Sequence, residues 1–221
     1  MSLPLHLILA AGGSSSRYGV GEKLLADLNG IPVFVHALRR LTPVVTGKCV
    51  IVVPEGKKLA FESEGYRFLQ DLDIIWCPGG ATRSESVRKG IAALGDVSGI
   101  VAVHDGARPL ADAELLTRLY EAALEYGAAL PGKAVADTLW KSGGEMLQET
   151  VSREGLFAVE TPQLFNIEIW RKAHELFPDA DLTDDAGLLR KAGFPVKLLI
   201  NEAPNFKLTT AADLEILRGL I

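Results

Sequence analysis

The chain has 221 residues, 48% hydrophobic and 23% charged, with a formal net charge of −5. That length and balance support a sizeable buried core and exclude a disordered chain, and the acidic surface argues against nucleic acid as a partner. No apolar run approaches the roughly 20 residues that cross a bilayer, and the N-terminus lacks a signal-peptide pattern, so the expected setting is the cytoplasm, away from any membrane.

Taken in order, the apolar run Leu5–Ala10 predicts a buried strand, and Gly12–Ser16 predicts a loop. A helix is expected over Pro32–Leu41 and a strand over Cys49–Val53. Helix Lys57–Leu69, strand Asp73–Cys77, helix Ser84–Leu94 and strand Gly99–Val103 follow. Helix Asp112–Tyr126 leads to strand Gly127–Pro131. Later come helices Asn166–Leu176 and Asp184–Ala192, strand Val196–Ile200 and helix Ala211–Leu220. Short apolar runs without alternation suit strands covered on both faces, and their alternation with helices predicts an α/β fold with a mainly parallel sheet and right-handed crossovers. One domain over 1–221 is expected. Cys49 and Cys77 match no metal-ligand spacing and are expected to be free core residues.

The segment Asp137–Thr150 breaks the pattern. DTLWKSGGEMLQET reads as two short polar strands around Ser142-Gly143-Gly144, a hairpin excursion at about 137–153. It is either solvated or leans on another subunit. Leu139, Trp140, Met146 and Leu147 favour a subunit contact, because they would otherwise form an exposed apolar patch.

Ligands of such sheets bind beyond the carboxyl ends of the strands. Gly12–Ser16 lies at one of these ends. Backbone N–H groups of a glycine-rich loop can form an anion nest, yet the loop has neither G-x-G-x-x-G nor the G-K-[ST] ending of a P-loop. Arg17 and Lys23 add a planar fork and a mobile charge suited to phosphate, or are two solvated surface cations. In Cys77–Gly90, a Pro-Gly-Gly turn leads to Thr82 or Ser84 as a helix cap, with Arg83 at the helix start and Ser86 in its first turn. Such a helix start attracts anions, although a well-capped helix with Arg83 in solvent fits the same letters. In VAVHDGARP, Asp105 follows a buried strand; it suits Mg²⁺ held jointly with substrate phosphates, or a turn cap. His104 reads as a hydrogen-bonded packing residue. Thr161-Pro162-Gln163 reads as a polar turn. Asp181, Thr183, Asp184 and Asp185 crowd a helix start, and Lys207 precedes the last helix.

Together these stretches resemble the 2-C-methyl-D-erythritol 4-phosphate cytidylyltransferases of the non-mevalonate isoprenoid pathway. The resemblance runs in one order through LAAGGSSSRYG with Lys23, GGATRSESV, HDGARP, the ADT of Ala136–Thr138, VSREGLF, ETPQLF, LTDDA and NFKLT. It implies a Rossmann-like sandwich of the nucleotide-diphospho-sugar transferase kind, with a protruding β-arm that interlocks in a homodimer. The implied reaction joins the 4-phosphate of methylerythritol phosphate to the α-phosphate of CTP, with Mg²⁺ and release of pyrophosphate. By motif position, Arg17, Lys23 and Lys207 would be catalytic, stabilising the reacting phosphates. Ala10, Ala11, Gly12, Gly13, Gly80, Arg83 and Ser86 would hold CTP. Asp105 would bind the metal and orient the polyol phosphate, and Arg108 and Thr183 would line the second substrate's pocket. Thr138 and Arg153 would serve the neighbouring subunit's site. The rivals are a ribitol-5-phosphate cytidylyltransferase, a sugar-1-phosphate nucleotidyltransferase, and a non-catalytic nucleotide-binding regulatory subunit.

Overall fold

The structure is a computed structural model, and it describes residues 2–12, 18, 21–178, 180 and 184–221. The elements begin with β1 (Leu5–Ala10), a short ribbon of β2 (Asp27–Leu28) and β3 (Ile31–Pro32), α1 (Val33–Arg39) and β4 (Cys49–Val53). Next come α2 (Lys58–Leu69), β5 (Ile74–Pro78), α3 (Arg83–Leu94), β6 (Ile100–Asp105), α4 (Ala113–Tyr126) and β7 (Ala128–Ala134). A hairpin of β8 (Leu139–Gly143) and β9 (Met146–Val151) follows, then β10 (Phe157–Val159) and β11 (Gln163–Asn166). The chain closes with α5 (Ile167–Leu176), α6 (Asp185–Lys191), β12 (Lys197–Ile200) and α7 (Ala211–Arg218).

The main sheet runs β12-β7-β11-β6-β1-β4-β5, with β10 continuing along the β11 edge of β7. β5, β4, β1 and β6 are mutually parallel, as are β7 and β12, whereas β11 and β10 run against their neighbours. Side chains alternate across a strand, and β1 follows this rule. Leu5, Leu7 and Leu9 pack with Phe34, Phe61 and Leu119 on one face, while Ile8 packs with Val87, Ile91 and Trp170 on the other. Helices α1, α2, α4 and α7 cover the first face, and α3, α5 and α6 the second.

Helix ends follow local chemistry. Asp112 caps α4 by accepting from the Leu115 N–H at 2.9 Å, and α4 ends where Gly127 turns left-handed at φ +86°. Thr210 and Asp213 form a reciprocal capping box at α7.

One sequence expectation changes, and one element has no expectation set against it. Thr161-Pro162-Gln163 is not an exposed polar turn: Gln163 opens β11, and Thr161 and Gln163 are buried between β6 and β7. The β2–β3 ribbon, with two residues in each strand, carries no periodicity to read. Both cysteines are free and buried, as expected.

Candidate active site

The C-terminal ends of β1, β4 and β6 meet the start of α3. Ala10 pairs with Val52 on one side and Asp105 on the other, and the Gly106 N–H donates to the Ala10 carbonyl at 2.9 Å. Thr82 caps α3 through the Glu85 N–H at 3.1 Å. One turn in, the Ser86 hydroxyl accepts from the Gly80 N–H at 3.0 Å, tying the glycine turn to the helix. A cleft of about 530 Å³ opens here, walled by Ala10, Gly12, Lys23, Arg83, Ser86 and Asp105, with Lys207 at its far side. A second cleft of about 520 Å³ adjoins it, bounded by Arg108, Glu160, Thr161, Gln163 and Asp184. The two share one wall, made by Arg83, Asp105 and Lys207.

Most of the residues singled out in the sequence therefore come together. Ala11 is buried beside the first cleft, its N–H donating to the Val52 carbonyl at 2.7 Å, and Gly80 sits in the turn held by Ser86. Gly13, Arg17 and Thr183 lie outside the described residues. Thr138 and Arg153 are exposed at the base of the β8–β9 hairpin and line neither cleft.

Asp105 is the electrostatic centre. Lys207 Nζ lies 2.8 Å from its Oδ2, Arg108 Nε 3.7 Å from Oδ2 and Arg83 Nε 3.7 Å from Oδ1. Burial alone would push this carboxyl up, but Lys207, Arg83 and Arg108 outweigh it and hold it down at about 2. Arg83 also donates to Asp185 Oδ2 at 3.0 Å, so it bridges two buried carboxylates. Asp185 in turn accepts from Trp170 Nε1 at 3.4 Å. The Gln163 side-chain oxygen accepts from the Asp185 and Ala186 N–H groups at the start of α6.

His104 confirms its packing role. It is fully buried, and burial pushes its imidazole down to about 4. Its Nε2 lies 2.9 Å from the Arg108 carbonyl, which can only accept, so Nε2 carries the proton. Nδ1 then accepts from the Thr161 hydroxyl at 3.1 Å, and that hydroxyl accepts from the Asp105 N–H at 3.0 Å. This chain of bonds fixes the 105–108 turn that presents Asp105 and Arg108. Sequence reasoning missed Glu160, Gln163 and Asp185 as buried partners around the site; the ETPQ and DDA letters read as a turn and a helix start.

Chemically, the first cleft offers Lys23, Arg83 and Lys207 against a single lining acid, Asp105, which suits a polyanion. Among the described residues no group of three or more His, Cys, Asp or Glu side chains could hold a metal ion. Asp105 could contribute one oxygen: among the described residues, its Oδ1 has Arg83 Nε at 3.7 Å, beyond hydrogen-bond length. That fits a magnesium ion whose other ligands are phosphates and water.

Residues 5–220 match the sequence model of 2-C-methyl-D-erythritol 4-phosphate cytidylyltransferase. The 2-C-methyl-D-erythritol 4-phosphate cytidylyltransferase of Geobacillus kaustophilus is 37% identical over 217 residues, covering 94% of this chain and 92% of its own. The bifunctional enzyme IspD/IspF of Maricaulis maris is 38% identical over 219 residues, covering 96% of this chain, which spans about half of that relative's length (56%). The crystal structure of 2-C-methyl-D-erythritol 4-phosphate cytidylyltransferase from Thermus thermophilus superposes with a TM-score of 0.78 at 30% identity, over 100% of this chain and 98% of that one. With its cationic double cleft at the sheet's carboxyl edge, the chain belongs to the 2-C-methyl-D-erythritol 4-phosphate cytidylyltransferase family.

Proposed function

We propose that the protein transfers CMP from CTP to 2-C-methyl-D-erythritol 4-phosphate, releasing pyrophosphate, in isoprenoid precursor synthesis. The observation that carries this reading is the shared wall: Arg83, Asp105 and Lys207 border both clefts, so two anionic substrates can meet across them. CTP occupies the first cleft, with its base and sugar by the backbone of Ala10–Gly13 and by Gly80, Arg83 and Ser86. The polyol phosphate occupies the second, where Arg108 and Thr183 bind it and Asp105 accepts from a hydroxyl.

A phosphate oxygen of the polyol attacks the α-phosphorus of CTP. A new P–O bond forms, the bond to the α–β bridging oxygen breaks, and pyrophosphate leaves with that electron pair. The nucleophile is already an anion, so no protein base is needed. Arg17, Lys23 and Lys207 offset the charge that grows in the transition state, and positioning with electrostatics carries the step. Magnesium, held by Asp105 and the substrate phosphates, would supply further charge neutralisation. Thr138 and Arg153 reach the partner's polyol site from the hairpin, and the working enzyme is a cytoplasmic homodimer. In support, no helix among the described residues is long and apolar enough to cross a membrane.

The test is pyrophosphate release with CTP and Mg²⁺. Turnover is expected with methylerythritol phosphate and not with ribitol 5-phosphate. CTP binding without turnover on either polyol phosphate would leave a binding protein and end the enzyme reading.

A further inference from the structure

The segment between β12 and α7 has no regular structure, yet it delivers Lys207 to the shared wall. A free-running loop would not hold an ammonium 2.8 Å from Asp105 Oδ2. Its anchor is a buried carboxylate that the transfer chemistry does not use. Glu160 Oε2 accepts from Asn201 Nδ2 at 2.9 Å and from Asn205 Nδ2 at 3.1 Å. Asn205 Nδ2 also donates to the Thr161 carbonyl at 2.9 Å. Both of its neighbours are acceptors, so the amide can face only one way. Glu160, Asn201 and Asn205 are all buried.

Glu160 is itself fixed on the sheet, its N–H donating to the Pro131 carbonyl at 2.9 Å and extending the β10–β7 pairing by one residue. Its other oxygen faces Lys133 Nζ at 3.8 Å. The grip passes outward by two routes. The Asn205 carbonyl accepts from Arg108 Nη1 at 2.7 Å, and Lys207 follows two residues later. The Leu208 N–H donates to the Ala107 carbonyl at 2.8 Å, binding the same segment to the 105–108 turn.

We infer that Glu160 is a positioning residue: by holding Asn201 and Asn205 it sets the Lys207 ammonium and the Arg108 guanidinium over the second cleft. The inference rests on the transfer reading for its kinetic consequence. It does not need that reading for its structural one. A misplacement of about 1 Å at a reacting centre costs on the order of 10²-fold in rate.

The test compares Glu160→Ala and Glu160→Gln with the wild type. Glu160→Ala is expected to lower kcat by about 10²-fold and to raise KM for the polyol phosphate, whose cleft Arg108 and Lys207 both border, more than KM for CTP, whose cleft only Lys207 of the two borders. Glu160→Gln, which keeps a carbonyl acceptor toward the two asparagines, recovers most of the loss. In a Lys207→Ala background, Glu160→Ala costs less than in the wild type, because one of the two groups it positions is gone. An undiminished cost in that background, or equal damage to both substrates, would make Glu160 merely structural and overturn the inference.

Amide hydrogen exchange of the full chain provides a second readout. Glu160→Ala and Asn201→Ala should quicken exchange within 201–208 alone, and Asn201→Ala serves if Glu160→Ala does not fold. Unchanged exchange there refutes the grip. A wild type that turns over neither polyol phosphate ends the transfer reading, and exchange still decides the role of Glu160.

Discussion

Lys23 reaches the first cleft from a single 3₁₀ turn, Lys23–Leu25, whose Leu24 is buried in the core. Packing of Leu24 holds the backbone there. Lys23→Ala should therefore keep the fold while lowering turnover by about 10²–10³-fold; circular dichroism with a steady-state assay checks both halves. At the same scale, the site's buried groups set an acid limit. Burial holds His104 neutral down to about 4, whereas the unfolded chain takes up that proton near 6.5. Stability therefore falls as pH drops from about 6.5 to about 4. Asp105 adds a second loss: despite its burial, Lys207, Arg83 and Arg108 keep it at about 2, below its ordinary 3.8, so its contribution disappears between those values. Urea midpoints measured across pH 4–7 should fall with acid, and His104→Gln should flatten that slope. The charged residues of the site were legible because GGATRSES and HDGARP place them at strand ends and helix starts. Their partners were not. Arg83 and Asp185 are 102 residues apart, as are Lys207 and Asp105, and no local pattern announces such pairs.

Among the elements, α3 is set by close approach. A Cβ on Gly90 would lie 2.9 Å from both Ile8 Cγ2 and Val52 Cγ2, so the helix lies directly on β1 and β4 at that point. Gly90→Val should destabilise the protein by about 1–3 kcal/mol through overpacking. It should also raise KM for CTP, because Ser86 lies one turn earlier on the same helix. Chemical denaturation and kinetics read the two effects separately. The apolar strands and amphipathic helices were legible to within a few residues: Leu5–Ala10 and Cys49–Val53 appear with the bounds their letters predict. β11 was not. Its run is short, it follows Pro162, and its buried Gln163 spends its side-chain oxygen on the start of α6, so a core strand carried the letters of a turn.

For the molecule as a whole, the β8–β9 hairpin stands apart. Its two strands pair only with each other, and Trp140, Met146 and Leu147 are 49%, 74% and 64% exposed. An isolated two-stranded hairpin is marginal in water. Both facts support the proposed dimer, in which a second copy would cover these side chains and Thr138 and Arg153, which line neither cleft of their own protomer, would serve the partner's site. Replacing 139–151 with a short Gly-Ser turn should convert a dimer into a monomer by light scattering and abolish turnover. A truncated chain that stays dimeric would remove the hairpin from the interface.

The contact between Lys207 and Asp105 also constrains when the protein can begin to work. Its two ends are 102 residues apart, and the second follows every strand of the main sheet. During synthesis, β1, β4, β5 and β6 leave the ribosome long before the segment that completes their common cleft. Domains generally emerge and fold from the N-terminus onward, so the growing chain displays a cleft with one wall unfinished. The cationic double cleft is therefore complete only once residues 201–208 settle against β7 and the 105–108 turn.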